Sequence, residues 1–330
     1  MRGVFGWSWG VAAAAAFIFG LTSSEASADA ISEYPNRPIS IVVGFTAGGG
    51  NDVVARIVGH KVGEILKTSV VILNRPGANG AIAMESVAKA APDGYTIILG
   101  SSSVIAINPV VTGSADQDPI KNFVGLGTVA MTPQVLAVNP SVAARTIGEF
   151  VALSQKNEIS VASAGIGGLP HLAIELFQSL EKAKLLHVPY RGGAPAATDV
   201  VAGHINGIVM DLPVVQPFIA NGQMRAIAVL NDRRSAALPD VASSVEQGAK
   251  ELVAVNWYGL LAPAKTPEPI ADRLFQAFSA AANDPVVKAK LAEIGIEPMT
   301  SSSRADFTEF LNREMTRWAA VAKVAGLVKN

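Results

Sequence analysis

Two segments of the chain combine residue types suited to holding an anion. Phe45-Thr46-Ala47-Gly48-Gly49-Gly50-Asn51-Asp52 ends a β-branched apolar run and opens a helical one. Ser163-Ala164-Gly165-Ile166-Gly167-Gly168-Leu169-Pro170-His171 repeats that design further along the chain. Glycines at such a junction let a ligand approach the backbone closely. The first amide N–H groups of a helix lack internal partners and sit at the positive end of its dipole, which favours a negative charge there. Short glycine-bearing turns also occur simply to join a strand to a helix. Finding one in each half of the chain favours a paired site.

Other residues extend the candidate site. Ser101 belongs to a polar strand end, Gly100-Ser101-Ser102-Ser103. Tyr190-Arg191-Gly192-Gly193-Ala194-Pro195 is a third glycine loop before a helix, read either as a cleft wall or as a solvent turn. Asp211 ends an apolar run, where it could bind a ligand hydroxyl or amine or cap the next helix. His171 follows the second glycine loop, within reach of packing or hydrogen bonding there. The expected ligand-binding set is therefore Phe45, Thr46, Ala47, Gly48, Gly49, Asn51, Asp52, Ser101, Ser163, Ala164, Gly165, Gly167, Gly168, His171, Tyr190, Gly192 and Asp211.

Several chemistries fail on spacing. Neither glycine loop continues into Lys-Ser/Thr, and Gly48-Gly49-Gly50-Asn51-Asp52-Val53 does not complete G-x-G-x-x-G, so nucleotide loops are excluded. The serine run lacks the second glycine of a nucleophile elbow. His60, His171, His187 and His204 have no metal-ligand spacing, and no cofactor is expected. With no cysteine, thiolate catalysis, disulfides and thiolate-bound metals drop out.

These loops need strands and helices to present them. Ile39–Phe45, Val70–Leu73 and Thr96–Gly100 read as strands around helical stretches beginning near Val53 and Ala81. This βαβαβ order implies a parallel sheet with right-handed crossovers. The order restarts with strands at Gln134–Val138, Ile159–Ala162, Leu186–Val188, Ile205–Met210 and Arg225–Leu230. Helices are expected over Ile147–Lys156, Leu172–Leu180 and Pro195–Ala202. In the tail, Trp257–Ala262 reads as a strand, and Thr266-Pro267 as N-cap and first turn of a helix reaching about Ala282. Helices after Asp284 and from Arg304 to Ala325 should pack back on the first half, so the chain crosses between halves twice.

Composition agrees with a well-buried globular chain. Its 330 residues exceed what one core usually serves, half are hydrophobic, and 16% are charged. Lys+Arg at 26 against Asp+Glu at 27 leave no basic face for nucleic acid. Arg2, the apolar stretch Val11–Leu21 and Ala26-Ser27-Ala28 form a secretory leader, expected to be cleaved near Ala28 and to deliver the protein to the periplasm.

The chain resembles the extracytoplasmic solute receptors of the tripartite tricarboxylate transporter family, also called Bug proteins. The resemblance is carried by Tyr34-Pro35-Asn36-Arg37-Pro38-Ile39, by the first glycine loop with Ala55-Arg56, and by Asn74-Arg75-Pro76-Gly77-Ala78-Asn79-Gly80. Pro92-Asp93-Gly94-Tyr95-Thr96, His187-Val188-Pro189-Tyr190-Arg191-Gly192, Asp240-Val241 and Trp257-Tyr258-Gly259-Leu260 add to it. Ala47 stands where the family commonly has proline, and Gly168 where it often has a small polar residue. The resemblance implies a two-lobe α/β clamshell of the type II periplasmic-binding-protein kind, each lobe a mostly parallel sheet flanked by helices. Residues 29–132 with 254–330 would form one lobe and 133–253 the other, behind a leader at 1–28. A carboxylate would be held by backbone amides and water from the two glycine loops. Its second pole, another carboxylate or a ring, would face the second lobe. The implied role is non-enzymatic: a monomeric receptor that captures a carboxylate, a dicarboxylate or related organic acid, and hands it to permease subunits. A ligand sensor for a signalling partner is the first alternative. An exported enzyme using His171 or Asp211 as base is the second.

Overall fold

A computed structural model describes residues 33–328, and the expected leader at 1–28 lies outside the described residues. By contact density the chain divides between Asn36 and Arg37, and the fold below is that of the second unit. Its first half runs β1 (Ile39–Val43), α1 (Gly50–Leu66), β2 (Val70–Asn74), α2 (Ala81–Ala88), β3 (Thr96–Ser101) and α3 (Asn108–Thr112). The long strand β4 (Phe123–Val138) follows, then α4 (Ile147–Ser154), β5 (Ile159–Ser163), α5 (Leu169–Glu181) and β6 (Leu185–Pro189). Next come α6 (Gly193–Val201), β7 (Gly207–Asp211), α7 (Leu212–Ala220) and β8 (Arg225–Leu230). The tail holds β9 (Val255–Pro263), α8 (Glu268–Asn283), α9 (Pro285–Ala292), β10 (Glu297–Pro298) and α10 (Arg304–Val324).

The strands hydrogen-bond in the order β2-β1-β3-β9-β4-β7-β5-β6, with β10 and β8 attached to β4. Within each half three strands are parallel, β2-β1-β3 and β7-β5-β6. The central pairs β3-β9, β9-β4 and β4-β7 are antiparallel, which the βαβ reading did not anticipate. β4 changes partners along its length: Phe123–Pro133 pairs with β9, and Gln134–Val138 with β7 and β8. The returning chain lies beside that change, since Gln134 N–H donates to the Ala254 carbonyl at 2.9 Å. The result is a two-lobed α/β fold whose lobes share β4 and the start of β9.

Each lobe has its own apolar core. Val42, Met84, Ile98, Trp257 and Leu261 meet in the first. Phe150, Val161, Leu172, Phe177 and Leu230 meet in the second. The last helix departs from expectation by serving both. Phe307 and Leu311 of α10 pack in the first core, whereas Trp318 and Ala322 two turns later pack in the second. A second correction concerns α8. Pro267 occupies its N-cap, and the Thr266 hydroxyl donates to the Pro263 carbonyl at 2.7 Å instead of capping. Among the described residues no helix is long and apolar enough to cross a membrane.

Candidate functional site

The carboxyl ends of the parallel strands in both lobes open onto one cavity of about 620 Å³. Sheet order sorts its lining into three rungs. Nearest the central strands, β3 ends at Ser101 and the turn after it adds Ser103, β7 ends at Met210 and Asp211, and β9 adds Asn256. One strand further out, the loop after β1 brings Phe45, Thr46 and Gly49–Asn51, and the loop after β5 brings Ala164–Ile166 and Gly168. Outermost, the loop after β2 contributes Asn79 and the loop after β6 contributes Arg191–Pro195.

Three helices start at this cavity in the same way. The N-caps of α1, α5 and α6 are Gly49, Gly168 and Gly192, and none has a side-chain cap. Glycine leaves first-turn amides without the acceptor that Ser, Thr or Asp would supply, so they are open to other acceptors; the first amide of α5, Leu169 N–H, meets Ser103 Oγ at 3.2 Å. Gly50 has a steric role as well: a Cβ there would lie 2.8 Å from the Tyr258 hydroxyl.

Of the expected ligand-binding residues, Phe45, Thr46, Gly49, Asn51, Ser101, Ala164, Gly165, Gly168, Gly192 and Asp211 line the cavity. Ala47 and Gly48 are exposed outside the lining, and Asp52, Ser163, Gly167, His171 and Tyr190 lie behind it, held by partners of their own. Asp52 shapes the first loop from inside. Its carboxylate takes two hydrogen bonds from Arg56, at 2.9 and 3.0 Å, one from Asn74 at 3.0 Å and one from Gly48 N–H at 2.9 Å. Arg56 foremost lowers its pKa to about 2 against the cost of burial. Gly48 sits at φ 84° to make that turn. In the second loop, Gly167 N–H donates to His171 Nδ1 at 3.1 Å, and the His171 ring stacks on His187 with centroids 3.9 Å apart. Ser163 Oγ lies 2.6 Å from His187 Nε2 and 3.3 Å from Gly165 N. Burial, with His171 adding to it, lowers the His187 pKa to about 4. The Tyr190 hydroxyl donates to Asp199 at 2.5 Å, and burial raises its pKa to about 12.

Asp211 occupies the N-cap of α7 without capping it. Its carboxylate turns instead to the two strands that link the lobes, accepting from the Gln134 amide on β4 and from Asn256 Nδ2 on β9 at 2.9 Å. With no cation beside it, burial raises its pKa to about 6. Sequence reasoning did not place Asn79, Ser103, Arg191 or Asn256 at the site. Arg191 and Ser103 sit inside motifs already singled out, but Asn256 lies in a strand with no loop signature.

The His171 and His187 rings are engaged within the second loop, and Asp211 faces two side-chain amides. A family model described as "Tripartite tricarboxylate transporter family receptor" matches residues 54–327. The chain belongs to the tripartite tricarboxylate transporter receptor family. Receptors of this family are solute-binding proteins. The Bordetella pertussis protein BugT is 32% identical over 313 residues, covering 94% of this chain and 95% of BugT. Rpa4515 of R. palustris, solved with adipate, superposes with a TM-score of 0.79 at 31% identity, over 89% of this chain and 99% of that one. MatC of Rhodopseudomonas palustris, solved with bound malate, gives 0.74 at 27% identity, over 87% and 99%.

Proposed function

We propose that this receptor captures an organic acid between its lobes and delivers it to the permease subunits of a tripartite transporter. The observation that carries the reading is the convergence of three glycine-capped helix starts on one cavity. Several hydrogen bonds to a charged carboxylate, each contributing ~1.5–3 kcal/mol, hold an anion without a buried arginine clamp. The expected division into 29–132 with 254–330 and 133–253 is kept as the two moving bodies for the described residues from Arg37 on, except that the end of α10 packs on the second. A guest that touches both glycine loops only when they are close shifts the population toward closure. Adipate and malate in the structural relatives support a carboxylate ligand. The leader supports a periplasmic place of action.

Thermal-shift and calorimetric titration with monocarboxylates, dicarboxylates, sugars and amines tests the ligand class. Stabilisation by acids alone is expected, and stabilisation by sugars or amines alone refutes the reading. Capture of permease subunits from host membranes by the acid-loaded protein tests delivery. Capture of a signalling protein instead would assign the sensor role.

A further inference from the structure

A second cavity, of about 320 Å³, lies on the far side of the strands that link the lobes. Its apolar surface comes from Met131, Val255, Trp257, Met299 and Phe310. Successive residues of a strand face opposite ways. On β9, Asn256 lines the cleft, while Val255 and Trp257 on either side of it line this cavity. On β4, Met131 faces the cavity, while Gln134 three residues on turns to Asp211 in the cleft. One layer of sheet separates the two spaces.

Both lobes wall this back cavity. Met131 and Trp257 come from the first, Asn231 and Val253 from the second, and Phe310 from α10, which packs on both. Leu169 N–H reaches Ser103 Oγ across the cleft, so the lobes are close in this structure. Rotation about β4 and β9 that parts them at the front brings the walls together at the back. An occupant of the back cavity therefore favours the closed state.

The lining also sets the chemistry of that occupant. Asn231 is 3% exposed, its Oδ1 accepts from Asp232 N–H at 2.9 Å, and its Nδ2 finds no acceptor among the described residues. A buried donor left in that state is unfavourable, and an occupant's oxygen would satisfy it. The charges nearby are paired: Arg317 Nη1 lies 3.8 Å from Glu314 Oε1, and Arg233 lies 3.4 Å from both Asp232 and Glu297. No unpaired charge calls for an ionic guest. An apolar cavity of about 150 Å³ accepts benzene. One of about 320 Å³ has room for a fused ring with a substituent.

We propose that the back cavity is an effector site for a small uncharged aromatic compound bearing a carbonyl, and that its occupant holds the lobes closed. This rests on lobe closure about β4 and β9 but not on the carboxylate reading, because its test uses no acid.

Ligand-observed NMR titration of the full chain with 1-indanone, and with indane as the analogue lacking the oxygen, reads the site. The ketone should bind at least threefold more tightly. Asn231→Asp keeps the acceptor for Asp232 N–H and removes the donor, so it should abolish that preference. Met299→Trp fills the cavity and should abolish binding of both compounds. Solution scattering of the acid-free protein should show a smaller radius of gyration at saturating 1-indanone. Absence of 1-indanone binding, or binding no tighter than that of indane, overturns the proposal whether or not the variants fold. Undiminished binding by a folded Met299→Trp protein overturns it by placing the compound elsewhere. A radius unchanged at saturation overturns the link to closure.

Discussion

Ser103 and Leu169 meet across the cleft: the amide N–H of Leu169, first residue of α5, donates to Ser103 Oγ at 3.2 Å. A helix start in one lobe is thus satisfied by a hydroxyl from the turn after β3 in the other. The bond exists only while the lobes are this close. It therefore belongs to the energy difference between open and closed states.

Ser103→Ala should weaken closure without harming either core. A neutral hydrogen bond contributes about 0.5–1.5 kcal/mol, which is roughly a two- to tenfold change in the closing equilibrium. Acid affinity should fall by that factor, and the free protein should show a larger radius of gyration in solution scattering. Unchanged affinity and radius would mean that the contact contributes nothing to closure.

Asp52→Asn tests whether the first loop is moulded from behind. A carboxyl whose pKa falls from 3.8 unfolded to about 2 folded adds stability above pH 4 that is lost as pH drops toward 2. Arg56 is half in solvent, so screening limits this to about 1–2 kcal/mol. The variant should melt lower at pH 7, lose that acid limb, and bind acids more weakly although Asp52 does not line the cavity. Full affinity in the variant would show that the loop holds its shape without the carboxylate.

Parallel strands β1 and β3 were legible because they are buried on both faces and read as continuous apolar runs. The first half of β4 was not. Phe123-Val124-Gly125-Leu126-Gly127 breaks any period with glycines that packing requires, since a Cβ on Gly125 would lie 2.8 Å from Phe307. The two glycine loops declared themselves through their shared design. The rungs did not, because which loops become neighbours depends on strand order, and Asn256 reaches the cleft only through β9. Asp52 reads in sequence as a ligand-binding residue, but Arg56 four residues later is a helical ion-pair spacing that fits its internal role. His171 gave no such clue, since its stacking partner comes from β6.

Gly50→Ala should remove binding by crowding. Its new methyl would lie 2.8 Å from the Tyr258 hydroxyl, so the ring or the helix start must move. Overpacking of this kind costs about 1–3 kcal/mol. A loss of acid affinity of at least tenfold is expected with the fold retained by circular dichroism. Gly248→Ala, at φ 94° with open space around it, is the contrasting substitution, expected to lower stability without touching affinity.

His187 predicts an acid weakness of the second lobe. Its pKa of about 4 in the fold against 6.5 in the unfolded chain means that the unfolded state binds the extra proton first. Stability should be complete above pH 6.5 and decline as pH falls toward 4. The groups facing the ring are His171, stacked on it, and Glu175, whose charge opposes the shift. Asp211 has the opposite sign, because a carboxyl raised to about 6 relieves a penalty as pH falls from 6 toward 3.8. His187→Gln should therefore invert the slope of melting temperature with pH between 6 and 4. An unaltered slope would place the acid sensitivity elsewhere.

Glu314 joins the two cores through their tryptophans. One carboxylate oxygen accepts from Trp257 Nε1 at 2.8 Å and from Trp318 Nε1 at 3.1 Å, and these rings lie in the first and second cores respectively. Glu314→Ala would strand two buried indole N–H groups, each costing about 1–3 kcal/mol. Glu314→Gln keeps an amide oxygen that can take the same place and accept from both, so it should lose only what the charge adds to the two bonds, less than the Ala variant loses. Denaturant midpoints give the ranking wild type, Gln, Ala, and the tryptophan emission should shift red in the same order. Because α10 spans both lobes, the Ala variant should also release the second lobe toward opening, seen as an acid affinity lowered beyond what global stability alone accounts for.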